Sequence, residues 1–171
     1  MHTDCIPNRI KKEAWNFLKE NNLGHRYTAN GNKEEQYVGL LGEMMLCKVM
    51  GIHHSMAKGF DDGFDVLIKD RKTDVKTMGR TVDPLPHYVN NFMALQSHFD
   101  CELYIFCSIN KKTSEFTICG WVTKEELLSR AELYPKGTIR TRTNGTTFEL
   151  KADTYEIKNN QLNHIYDLKY L

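Results

Sequence analysis

The sequence predicts an α/β fold, and three observations carry the prediction. Two segments with helical spacing or length come first, over 9–22 and 34–50. A series of short strands separated by turn signals follows, over 64–70, 73–78, 102–109 and 115–122. A helix with its own capping box, Thr123 with Glu126, then opens at 124–133 between strand segments.

In the first helix Trp15 and Leu18 share a face, with Ile10 and Phe17 near it, and the lysines face water. Asn21-Asn22-Leu23-Gly24 ends it, and 24–33 reads as a loop. The second helix, EEQYVGLLGEMMLCKVM, is apolar nearly all round and stops at Gly51, so it is expected to be buried. Residues 64–70 and 73–78 form a hairpin around Asp70-Arg71-Lys72. Pro84 and Pro86 exclude a regular element where they stand. Tyr88-Val89 reads as a short strand and 91–98 as a short helix. ELYIFCSI, 102–109, is an apolar strand of the buried kind, and EFTICGWV, 115–122, returns beside it. Period-two alternation over 138–150 around Asn144-Gly145 predicts a further hairpin. A strand at 154–157 and a short helix at 160–168 complete the series.

The 171 residues fit one domain with one real core. No apolar run approaches the roughly 18 residues of a membrane span, so no membrane partner is expected. The N-terminal stretch lacks the apolar run of a secretory signal, which makes a cytoplasmic protein the expectation. Five cysteines without a CxxC pair argue against both a disulfide framework and a zinc site. Net charge is +1, which speaks against a purely electrostatic DNA binder. A carboxylate-rich site with a local basic rim stays compatible with that balance.

The chemistry concentrates in four residues. Asp74 and Lys76 stand at i and i+2 of a strand and project to one face, with Val75 turned to the other. The acid can ligate a hard cation such as Mg²⁺, and the Val75 carbonyl can add an oxygen. The lysine can orient a water or stabilise charge on a phosphate. Asp65 falls across the hairpin from Asp74, a like-charge pairing that needs something positive between. Asp61 and Asp62, just before that strand, are alternative acids, but the strand assignment favours Asp65. Glu43 sits in the middle of the apolar second helix, where an unpaired charge is costly, with Gly39 and Gly42 allowing close approach. The competing reading of each residue alone is ordinary: an exposed Asp-x-Lys strand face, or a solvated helix acid. The combination is more specific.

This order of elements resembles the PD-(D/E)XK, restriction-endonuclease-like nuclease superfamily. The matching residues are Glu43 in GLLGEMML, Asp65 in GFDV, and Asp74 with Lys76 in TDVKT. Phe64 stands where that family carries proline. The match spans about 34–123, and the remainder resembles small members from phages and prokaryotes. The resemblance implies an α/β/α core with a mixed central sheet of about four strands. The hairpin and helix of about 134–171 would be accessory to it. It also implies a nuclease that hydrolyses phosphodiester bonds, in DNA more readily than RNA and as an endonuclease. In that reading Asp65 and Asp74 bind Mg²⁺, with Mn²⁺ able to substitute. Glu43 supports metal or water, and Lys76 positions the nucleophilic water. The setting would be a bacterial cell or phage-infected host, and cutting both strands would suit a homodimer. The alternative is a module on the same fold that binds nucleic acid or a partner without turnover.

Arg71, Lys72 and Arg80 flank the hairpin as candidate phosphate contacts. Arg140 and Arg142 share a face of the later hairpin, with Lys136 and Lys151 nearby. Gln96, His87 and His98 are weaker candidates for substrate contact. His53 and His54 are read as exposed, Cys47 and Cys107 as small core residues, and Trp121 as core.

Overall fold

The computed structural model describes residues 1–21, 32–54, 63–142 and 145–170. Helix α1, Asn8–Glu20, and helix α2, Lys33–Met50, lie on one face of a five-stranded mixed sheet. The sheet takes β1 (His2–Cys5), β2 (Val66–Ile68), β3 (Arg71–Arg80), β5 (Leu103–Asn110) and β6 (Glu115–Thr123), in the order β1-β6-β5-β3-β2. Only β3 and β5 run parallel; the other neighbours are antiparallel.

α2 is buried as its sequence requires. Asn32 and Glu35 close a capping box at its start, and Gly51 ends it in the left-handed conformation, φ 67°. Leu41, Met45 and Leu46 pack on Val75, Ile105 and Cys107 of the sheet. The approach is close at one point. A Cβ on Gly42 would stand 1.8 Å from the Thr77 hydroxyl, so only glycine lets α2 seat against β3 there. In α1 the buried stripe is Ala14 and Leu18. Trp15 stays at the rim, edge-on to Tyr37 at 5.6 Å.

Four expectations change. The central sheet has five strands, because the polar segment His2–Cys5 pairs with β6. The hairpin turns at Lys69-Asp70, both at positive φ, so β2 is only three residues long. The second face of the sheet is not covered by a helical layer alone. A three-stranded sheet packs there with α3 (Lys124–Arg130); its strands are β4 (Val89–Met93), β10 (Thr154–Lys158) and β7 (Glu132–Tyr134). Phe92, Tyr104, Phe106 and Ile157 form that second core. Finally, the short helices expected over 91–98 and 160–168 are 3₁₀ turns at Ala94–His98, Asn159–Gln161 and Ile165–Tyr170, and residues 91–93 belong to β4 instead.

The late hairpin is β8 (Ile139–Thr141) with β9 (Thr147–Glu149); Asn144 lies outside the described residues. Trp121 is buried and donates its indole N–H to the His164 carbonyl. No helix among the described residues is long and apolar enough to cross a membrane.

Candidate active site

Strand alternation places Asp74 and Lys76 together on the face away from α2. Lys76 Nζ stands 2.7 Å from Asp74 Oδ2, and it lies 5.9 Å over the Phe92 ring. Asp74 is buried, its neighbour across the parallel ladder being Tyr104. Val75 points to the helical core.

The short β2 determines what happens at the edge of β3. Asp65 N–H donates to the Thr73 carbonyl, the last main-chain contact of that edge before β2 ends. Alternation turns the N–H and C=O of Val75 to the same edge. Asp65 then closes the gap with its side chain: Oδ2 accepts from Val75 N–H at 2.6 Å. The Val75 carbonyl faces this edge too, beyond the reach of β2. Here an acid from the helical face can meet acids from the other face, because no strand separates them.

The charges of these acids act on one another. Burial pushes the Asp65 carboxyl well above the usual carboxylate range; Glu43 and then Asp74 push it further, while Lys76 opposes them. Cys47, one helical turn after Glu43, senses the same charges. Burial raises its thiol to about 11, with Glu43 and Asp65 contributing. Glu43 is less enclosed than its apolar helix suggests, its side chain being 28% exposed.

Two further groups belong to this cluster, and sequence reasoning missed both. His54 was expected to be exposed; its side chain is 14% exposed and its Nε2 stands 3.6 Å from Glu43 Oε2. The Gly51 cap folds the chain back along α2, with Ile52 N–H bonded to the Cys47 carbonyl, and so returns His54 to Glu43. His53 stays exposed, as read. Tyr104 is fully buried beside Asp74; burial raises its hydroxyl pKa, with Cys101 and then Asp74 contributing. Gly51 was visible as a helix stop, but the direction of the chain beyond it is tertiary information. So is the parallel register that sets Tyr104 beside Asp74.

Among the described residues no three His, Cys, Asp or Glu side chains stand ready as a joint metal cage. Asp74 is turned onto Lys76, and Asp65 onto Val75 N–H. Carboxylates and a strand-edge carbonyl are the residue types that ligate hard ions, but the described side chains form no joint site as they stand. Asp61 and Asp62 lie outside the described residues.

The candidate phosphate contacts divide. Arg80 donates to the Val89 carbonyl, stacks over Tyr88 and joins the two sheets. Arg140 makes a bidentate pair with the buried Glu156 and stacks 4.0 Å over Tyr134, which pins the β8–β9 hairpin to β10. Gln96 is buried. Arg142 is exposed and stacks on Phe148; Arg71 is half-buried at the β2–β3 turn, and Lys72 pairs with Asp100 there. His87 and His98 are exposed. A cavity of about 380 Å³ lined by Val49, Ile118 and Leu168 holds none of the candidate residues.

No family model matches the chain, and neither a curated protein nor a solved structure matches it.

Proposed function

We propose that this chain is a divalent-metal-dependent nuclease on a restriction-endonuclease-like core, hydrolysing phosphodiester bonds in DNA as an endonuclease. The observation that carries the reading is the Asp74–Lys76 pair on β3, 2.7 Å apart, with Asp65 bonded to Val75 N–H at the adjoining edge. A structural ion pair would account for Asp74 and Lys76, and a main-chain cap for Asp65. Beyond burial, Glu43 adds a further negative charge that raises the Asp65 pKa.

Asp65, Asp74 and the Val75 carbonyl would hold the ion, with Glu43 at the more open side supporting it or a water. A bound Mg²⁺ or Mn²⁺ would supply Lewis-acid charge for the scissile phosphate and lower the pKa of the attacking water. Lys76, freed from Asp74 when that carboxylate turns, orients the water and offsets charge developing on the phosphate oxygens. The water oxygen bonds to phosphorus as the bond to the leaving sugar oxygen breaks. Arg71 and Arg142 are the cations best placed to track the backbone, since Arg80, Arg140 and Lys72 have internal partners.

Closed-circular DNA, which only an endonuclease can open, is the discriminating substrate. Cleavage is expected with Mg²⁺ or Mn²⁺ and none with chelator. Lys76→Ala and Asp74→Ala should each cost roughly 100-fold or more, in the range expected for removing an electrostatic or general acid–base group. Activity equal to wild type in either variant would sink the assignment. DNA binding without cleavage under every metal condition would instead indicate a binding module without turnover.

A further inference from the structure

We infer that the apolar cavity at the C-terminal end of α2 is a binding site for a free medium-chain carboxylate, with the alkyl chain inside and the carboxylate at Lys69. The cavity holds none of the residues proposed for phosphodiester hydrolysis, so this ligand is independent of the nuclease reading.

The cavity is built where four elements converge. Val49 and Met50 come from the last turn of α2, Ile68 from β2, Ile118 from β6, and Leu168 from the last 3₁₀ turn. Ile68, Ile118 and Leu168 are almost fully buried and form its floor. Lys69, Tyr166 and Lys169 also line it and are exposed, so they mark its mouth. Its volume is about 380 Å³. An apolar cavity of about 150 Å³ accommodates benzene, so this one takes roughly twelve to fifteen heavy atoms. Such a lining offers water few hydrogen-bond partners, whereas an alkyl chain removes its own apolar surface from solvent there.

Charge selects the head group. Lys69, Lys169 and His2 line the cavity, and among the described residues no Asp or Glu does. Asp70 and Asp167 neighbour the rim in sequence and are exposed, outside the lining. Lys69 Nζ donates to the Lys169 carbonyl at 2.5 Å, which ties the β2–β3 turn to the last 3₁₀ turn across the mouth. An ammonium has three donors, so two remain for a carboxylate. Lys69 sits at φ 51°, followed by Asp70 at 62°, in a two-residue turn where asparagine and glycine cost least. Lysine there exchanges an easier turn for a cation at the rim. A neutral alcohol gains nothing from that cation, and a cationic amphiphile is repelled by it.

Chain and head group should contribute separately. Each buried methylene strengthens binding roughly threefold to fourfold, so affinity rises steeply with chain length until the cavity is filled. The carboxylate contributes less, because the rim is exposed to water: about twofold to fivefold through Lys69. A ten-carbon chain fits the volume, and its carboxylate reaches the mouth when the chain end lies on the buried floor.

The test uses the full chain with ¹³C-labelled isoleucine methyls, titrated with decanoate below its micelle concentration and, separately, with octanoate and decanol. Decanoate should give saturable shifts and intermolecular NOEs from its chain to the Ile68, Ile118 and Ile165 methyls. Octanoate should bind about tenfold more weakly. Lys69→Met keeps an apolar stem and should weaken decanoate about twofold to fivefold while leaving decanol unchanged; Lys69→Arg should restore the affinity. The comparison of decanoate with decanol on wild type reads the same head-group contribution without any variant. Absence of saturable decanoate binding would overturn the inference, and so would NOEs confined to methyls outside the cavity. Equal affinity for decanoate and decanol, unmoved by Lys69→Met, would overturn the carboxylate assignment.

Discussion

Asp65 carries two demands at once. Its carboxylate closes the exposed edge of β3 by accepting from Val75 N–H, yet burial, and after it Glu43 and Asp74, make its charge unfavourable. A carboxyl whose folded pKa is raised stabilises the fold fully below its unfolded pKa, near 3.9. That contribution is lost as pH rises through the folded value. Metal-free protein should therefore lose stability from about pH 4 upward through this group. Asp65→Asn keeps an oxygen for Val75 N–H and removes the charge. We expect it to unfold at least about 2–4 °C higher than wild type at neutral pH without metal, the shift that about 1 kcal/mol gives at this size. The difference should shrink toward pH 4, as a thermal melt series would show. A variant less stable than wild type at neutral pH would mean that the hydrogen bond to the charged form outweighs the repulsion.

At the scale of elements, α2 and β3 position the cluster, and their seam depends on one glycine. Gly42→Ala drives a methyl into Thr77 and should cost about 1–3 kcal/mol, as overpacking does. If the proposed nuclease reading holds, it should also lower that activity, because Glu43 follows directly. Gly39→Ala faces open space, removes a helix glycine, and should stabilise by about 0.5–1 kcal/mol. Denaturant unfolding of the two variants checks both signs. The hairpin β8–β9 hangs on Arg140. Arg140→Ala leaves Glu156 buried without its bidentate partner and should cost about 1–3 kcal/mol. If its main role is phosphate contact, DNA affinity would fall while stability stayed unchanged.

At the scale of the molecule, local physics made some features legible and hid others. α2, β5 and β6 declared themselves by apolar length, and α3 by Thr123 and Glu126. Asp74 and Lys76 followed from strand alternation alone. His2–Cys5 did not, because a short polar segment becomes a strand only where Thr117 and Ile118 offer it an edge. In the β4-β10-β7 sheet, β4 pairs with β10 more than sixty positions away, Asn90 with Ile157 among the pairs, and no local period encodes that. His54 and Tyr104 belong to the same class: their neighbours come from chain reversal and cross-strand register.

β5 has a consequence beyond the site it supports. All eight of its residues, LYIFCSIN, are buried, and none carries a charge. Such a window pairs readily with copies of itself whenever its neighbours are missing. β6 follows after a short turn and can shield one edge early. The other edge waits for β3, whose parallel alignment needs a long crossover. Mutations that loosen the α2–β3 seam should therefore appear first as insoluble protein during expression. Soluble yield, more than melting temperature, will show how well that seam closes.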